Sequence, residues 1–308
     1  MHLLLYGALL LAQAGTATKQ YAMKRCGRIA TGSFNSICIN LARALICLIV
    51  SLTIWGISCG RGTTASGLII AALSGIGTAM NLFAWILAAQ YLPMTLIEEI
   101  CMLGTLVLPL FLAPYLYHGD SVSLPQWIGA LLILVSILFF AKKGKTAKGV
   151  SPIHRALLVF VCAFGATLAS ISKKLYSFYI AEAGRGSIEL FTFVNFSVVF
   201  LIFLVLFPIC YKAEARSLSA AADGRPAVEL PYRKTRHFIL MAAAGLYLYE
   251  FFTTTASALP SAIYYPASKA IAVLGTFLLD TLVFKDSITL KKTVGLALLL
   301  VAIVLINL

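Results

Sequence analysis

The stretch Lys142-Lys143-Gly144-Lys145-Thr146-Ala147-Lys148-Gly149-Val150-Ser151-Pro152-Ile153-His154-Arg155 is the strongly charged, glycine- and proline-broken interruption near the midpoint of this 308-residue chain. Both flanks are mostly apolar, and they close alike. The first ends with the polar turn Tyr117-His118-Gly119-Asp120-Ser121 and an apolar run opening at Gly129. The second ends with Phe284-Lys285-Asp286-Ser287 and a run opening at Gly295. This layout predicts two halves, residues 1–141 and 156–308, joined by a basic linker over 142–155.

Hydrophobic residues make up 61% of the chain and charged residues 11%, with a mean hydropathy of +0.96. Soluble domains carry about half apolar residues and need polar faces at helical or strand period. Here whole runs of about 20 residues are apolar on all sides, the length that spans a bilayer. The chain therefore reads as an all-α integral membrane protein, multi-pass, in the cell membrane.

The net charge of +13 invites a nucleic-acid partner, but the location of the charges excludes it. Of the 24 Lys and Arg, 17 fall in four connections: Lys24, Arg25 and Arg28; Lys142 to Arg155; Lys212 to Arg236; and Lys285, Lys291 and Lys292. Arg61 and Arg185 fall in connections of the other parity. That asymmetry is the positive-inside signature, which places the basic loops in the cytoplasm and both termini outside. The seven cysteines form no CxxC pair and read as small apolar filler, and the four histidines fall at membrane edges. No metal site and no cofactor is expected from them.

Ten helices are expected. The run from His2 to about Ala22 contains Ala12-Gln13-Ala14, which resembles a signal-peptide cleavage site, but it lacks a basic start and continues to Tyr21. Phe34 to Gly56, Ser66 to Tyr91, Met94 to Tyr117 and Gln126 to Ala141 complete the first half, with Pro109 and Pro114 expected to kink the fourth helix. Ala156 to Ile180, Glu189 to Tyr211, Phe238 to Ala258, Ser261 to Phe284 and Leu290 to Leu308 make the second. Thr18-Lys19 matches Ser172-Lys173, Ala88 to Pro93 matches Thr255 to Pro260, and Asp120-Ser121 matches Asp286-Ser287, in that order. Five helices per half make the second copy enter the membrane from the opposite side, giving two inverted five-helix repeats.

On these residues the chain resembles the drug/metabolite transporter superfamily, and within it the EamA-like ten-helix transporters. The likeness is carried by Lys19 and Lys173, the Leu92-Pro93 and Leu259-Pro260 turns, the endings His118-Gly119-Asp120 and Phe284-Lys285-Asp286, and Gly129 and Gly295. It spans nearly the whole chain. The family often has Glu where Asp120 and Asp286 stand, and is usually drawn with both termini in the cytoplasm. The resemblance implies a transporter and leaves the substrate open.

A charge in the hydrocarbon region costs about 2.5 to 3.5 kcal/mol on insertion scales, so each one needs a partner, a cavity or a route to the interface. Lys269 follows Pro266 about nine residues into the ninth helix and reads either as cavity lining or as the partner of an acid, Glu250 being similarly deep. Arg43 has no carboxylate within a helical turn, so its partner must come from another helix or be the ligand. Glu98 and Glu99 adjoin the turn between helices three and four, where helix N-terminal charge placement is the competing account. Lys19, Lys173 and Lys174 stand close enough to helix ends to snorkel. Asn81 must find a hydrogen bond at mid-membrane. Trp85 and Tyr265 are the aromatic candidates kept, with Phe83, Tyr247, Tyr249 and Tyr264 beside them, against a competing role in packing.

The expected function is a secondary transporter that moves a small polar or amphipathic metabolite, such as an amino acid or another anionic or zwitterionic compound, by alternating access. Expected partners are that solute, a proton as coupling ion, membrane lipids and a second copy of the chain as a homodimer. A flippase for a lipid-linked head group is the alternative within the fold. An intramembrane enzyme is the alternative of another class. It would need a His, Asp or Ser/Lys cluster at one depth that the sequence does not display, so no enzymatic activity is expected.

Overall fold

The computed structural model describes residues 2–29, 33–58, 62–90, 92, 94–102, 104–105, 112, 123–140, 152–181, 184–220, 232–259, 261–285 and 289–306. Among the described residues the structure is all-helical: α1 (His2–Ile29), α2 (Ser33–Ile57), α3 (Ala65–Ala88), α4 (Met94–Met102), α5 (Leu124–Phe140), α6 (Pro152–Tyr176), α7 (Ile188–Ala220), α8 (Tyr232–Ala256), α9 (Ser261–Leu278) and α10 (Leu290–Ile306). A π-helical turn extends α6 over Ser177–Ala181, and another extends α9 over Leu279–Val283. Pro109, Pro114, Asp120 and Asp286 lie outside the described residues.

Local chemistry explains the starts. The Thr64 hydroxyl accepts from Gly67 N–H at 3.1 Å ahead of α3, and the Ser187 hydroxyl accepts from Leu190 N–H at 3.2 Å on α7. Ser123 N–H donates to Gln126 Oε1 at 2.9 Å, the return arm of a capping box at α5. After the π turn of α6 the chain reverses through Gly184, whose φ of +68° suits a residue without Cβ. Two predicted boundaries move. α6 begins at Pro152, so the last residues of the basic linker are helical, and α7 runs on to Ala220, well into the stretch expected to be a polar loop.

Among the described residues, five segments are long and apolar enough to cross a membrane: Ser33–Ile57, Ala65–Ala88, Ala156–Ala181, Ile188–Ala213 and Arg233–Ala256, with the shorter apolar helices Leu124–Ile133 and Ile271–Val283 beside them. The burial pattern is the reverse of a water-soluble one. Leu45, Ile49, Leu52, Leu201, Leu204 and Val205 face outward, while Arg43, Lys173 and Glu250 are buried. Exposed apolar surface combined with buried charge is stable when the surroundings are lipid and the charges share an interior.

Neighbours recur in matched sets. α1 packs along α8 and α3 along α6; α2 lies on α7 and α5 on α10; α3 touches α7 as α2 touches α8; α1 touches α9 as α4 touches α6. The two long crossings share one device. A Cβ on Gly15 would stand 2.7 Å from the Gly245 carbonyl oxygen, and one on Gly245 would stand 2.6 Å from that of Gly15. At α3 and α6, a Cβ on either Gly77 or Gly165 would stand 2.6 Å from the other's carbonyl oxygen. No real Cβ fits, so backbones meet here as they do wherever small residues line a membrane helix crossing.

Candidate functional site

Between these crossings α1, α3, α4, α6, α8 and α9 enclose a cavity of about 40 Å³. A water needs roughly 10–15 Å³ on that measure, so a few waters fit. Its wall is polar and charged. α1 gives Gln13, Thr16 and Lys19; α3 gives Thr78, Asn81 and Trp85; α4 gives Glu98 and Cys101. Lys173 enters from α6, Tyr249 and Glu250 from α8, and Ser268 and Lys269 from α9.

Glu250 finds its counter-charge on α6. Lys173 Nζ stands 2.7 Å from Glu250 Oε2, both side chains being buried, and Lys173 also donates to Thr253 Oγ1 at 3.4 Å. Glu250 is therefore paired to Lys173, not to Lys269. Gln20, from the adjoining pocket, donates through Nε2 to Glu98 Oε2 at 2.8 Å, and across the cavity Gln13 Nε2 donates to Ser268 Oγ at 2.8 Å. The Tyr249 ring lies between two ammonium groups, with Lys19 Nζ 4.3 Å and Lys173 Nζ 4.6 Å from its centre. Cation–π contacts of this kind offset part of the cost of burying the charge. Asn81 Nδ2 donates to the Cys162 carbonyl at 3.0 Å, which answers the hydrogen-bond demand of a mid-membrane amide.

Of the candidate residues, Lys269, Glu250, Asn81, Glu98 and Trp85 line this one cavity. Arg43 is not in this cavity. It lines an adjoining pocket of about 10 Å³, which meets the cavity at Lys19, Asn81, Leu82 and Trp85. The side chains of Glu99 and Tyr265 lie outside the described residues.

Lys19 and Lys173 do not snorkel. α1 continues to Ile29, which puts Lys19 roughly three turns inside the helix. Lys174 is tied as well, donating to the carbonyls of Ser257 and Leu259 at 2.7 and 2.8 Å, at the frayed end of α8. Lys24, counted with the basic connections, is buried and stands 2.5 Å from Asp280 Oδ1 in the π turn after α9, with Nζ 4.3 Å from the Phe284 ring centre. Gln13, on the cavity wall, and Gln20, in the adjoining pocket, are groups that the expected site omitted. A signal for them exists: Gln13, Thr16, Gln20 and Lys24 step by three or four residues along α1 and are all buried.

No known family's sequence profile matches the chain, and no curated protein matches it. A crystal structure of a protein superposes on 97% of this chain and 96% of its own length with a TM-score of 0.60, at 15% sequence identity. At that identity the likeness shows a shared fold and says nothing of activity.

Proposed function

We propose that this chain is a secondary transporter resembling the EamA-like branch of the drug/metabolite transporter superfamily, with ten membrane helices in two inverted five-helix repeats. It moves a small metabolite carrying a carboxylate or phosphate by alternating access. The matched neighbour sets support the repeat: shifting both helix numbers by five, counted round ten, turns α1–α8 into α3–α6, α3–α7 into α2–α8 and α1–α9 into α4–α6, and maps α2–α7 and α5–α10 onto themselves. The cavity obeys the same rule. Its walls are the first, third and fourth helices of each half, the place between repeats where such transporters bind solute.

The observation that carries the reading is the charge balance of the cavity. Lys19, Lys173 and Lys269 face Glu98 and Glu250. The ion pair removes Lys173 and Glu250, leaving two ammonium groups against the single carboxylate of Glu98. A solute with an acidic group supplies the missing negative charge. Glu98 is held by the neutral amide of Gln20 rather than by a cation, so among the described residues it is the cavity carboxylate outside the ion pair.

Proteoliposomes offered a panel of amino acids, sugars, nucleosides, organic phosphates and cationic drugs test this. Acidic solutes should accumulate and cationic drugs should not. Lys269→Ala should abolish uptake while the protein stays folded in the membrane, because the cavity admits water to the remaining charges. Unimpaired transport by that variant would remove Lys269 from the site.

A further inference from the structure

The pocket beside the main cavity has a chemistry of its own. Arg43 is fully buried on α2. Its Nη1 contacts Met23 Sδ and the Asn40 Oδ1, both at 2.8 Å and both uncharged. Its Nε and Nη2 have no hydrogen-bond partner, and among the described residues no carboxylate stands within ion-pair distance of it. A guanidinium cannot shed its proton in a protein, so this charge cannot be relieved by neutralisation. A buried charge with neither an opposite charge nor a full set of hydrogen bonds is costly. Lys19, on the far wall of the same pocket, adds a second positive charge. A bridging water would satisfy Arg43 and the unpaired Gln20 Oε1, yet leave both charges uncompensated.

The pocket holds about 10 Å³, room for one water-sized group. We propose that it is an anion subsite, in which Arg43 Nε and Nη2 and the Lys19 ammonium take one monovalent anionic group. That group is a free halide or the acidic group of the transported solute. The shared wall of Lys19, Asn81, Leu82 and Trp85 lets a solute in the main cavity reach it. Only this last link rests on the transport reading. Anion binding itself does not.

The test uses the purified full chain in detergent, exchanged into sodium gluconate, whose anion is too large for the pocket. Chloride, bromide or formate replaces gluconate at constant ionic strength while thermal unfolding and tryptophan emission are followed. A saturable stabilisation is expected, together with a saturable component of bromide quenching from Trp85, which lines the pocket, above the linear quenching of exposed Trp127. Arg43→Gln should lose both responses. Equal behaviour in all four salts, or an unchanged response in Arg43→Gln, overturns the subsite. If that variant does not fold, bromide-soaked crystals of the wild-type chain decide: an anomalous peak against Arg43 supports the subsite and a water there overturns it. In uptake assays, chloride that competes with solute assigns the subsite to the solute's acidic group, and chloride that transport requires assigns it to a resident halide. Absence of uptake for every solute would end the transport reading and leave the anion-binding result standing.

Discussion

Removing one member of the Lys173–Glu250 pair should be far more damaging than removing both. The ammonium and carboxylate are 2.7 Å apart with side chains 3% and 5% exposed. At an effective dielectric of 20 their attraction is about 6 kcal/mol, most of it spent on withdrawing both groups from water. Lys173→Met leaves a buried carboxylate beside the Tyr249 ring, and Glu250→Leu leaves a buried ammonium whose remaining contacts are Thr253 and that ring. Each single change should cost about 3–5 kcal/mol, whereas the double change leaves no orphan charge and should cost under about 2 kcal/mol. The cycle then yields a coupling of at least about 4 kcal/mol, read as thermal unfolding in detergent together with the amount of protein in the membrane. Additive single and double effects would show that the two groups do not stabilise one another. The same cycle between Lys269 and Glu250 should be near additive, since Glu250 is already paired.

Substituting the crossing glycines tests the packing of the halves. Gly77→Leu or Gly245→Leu forces side-chain atoms onto a backbone carbonyl 2.6 Å from the first added carbon, so the affected variant should lose at least about 1–3 kcal/mol or fail to accumulate. Gly7→Leu, where a Cβ meets nothing within 4 Å, serves as the control on the same measurement. The loop-charge asymmetry predicts that a cysteine placed between α7 and α8 resists an impermeant thiol reagent on intact cells. Labelling from outside would invert the topology.

Helix placement was legible because a membrane segment declares itself by length. The predicted Phe34 to Gly56 became Ser33–Ile57, and Ser261 stands as the start of α9 in both. Capping residues such as Thr64 and Ser187 lie where the apolar runs begin. Burial of charge inside apolar runs was legible too, and five of the eight candidate side chains line one cavity. Pairing was not. An apolar run states how deep a charge sits, while its partner depends on how each helix is rotated and which helix it crosses. Glu250 and Lys269 have similar depths in sequence, yet the α3–α6 and α1–α8 crossings turn Lys173 toward Glu250. The apolar run stops near Tyr21, which places Lys19 close to a helix end, whereas α1 continues to Ile29; only over that longer helix do Gln13, Thr16, Gln20 and Lys24 form one buried stripe.

The pairing pattern divides the buried charges by task. Lys173 is held by Glu250, Lys24 by Asp280, and Lys174 by two carbonyls, so each is satisfied within the fold. Among the described residues, Lys19, Lys269 and Arg43 have no carboxylate partner, and all three line one of the two adjoining cavities. A chain that keeps three unpaired cations against Glu98 alone gives up stability that three apolar residues would supply. On the transport reading proposed above, that cost is recovered when an acidic solute enters, so the unpaired cations, and not the paired ones, are where such a solute is expected to bind.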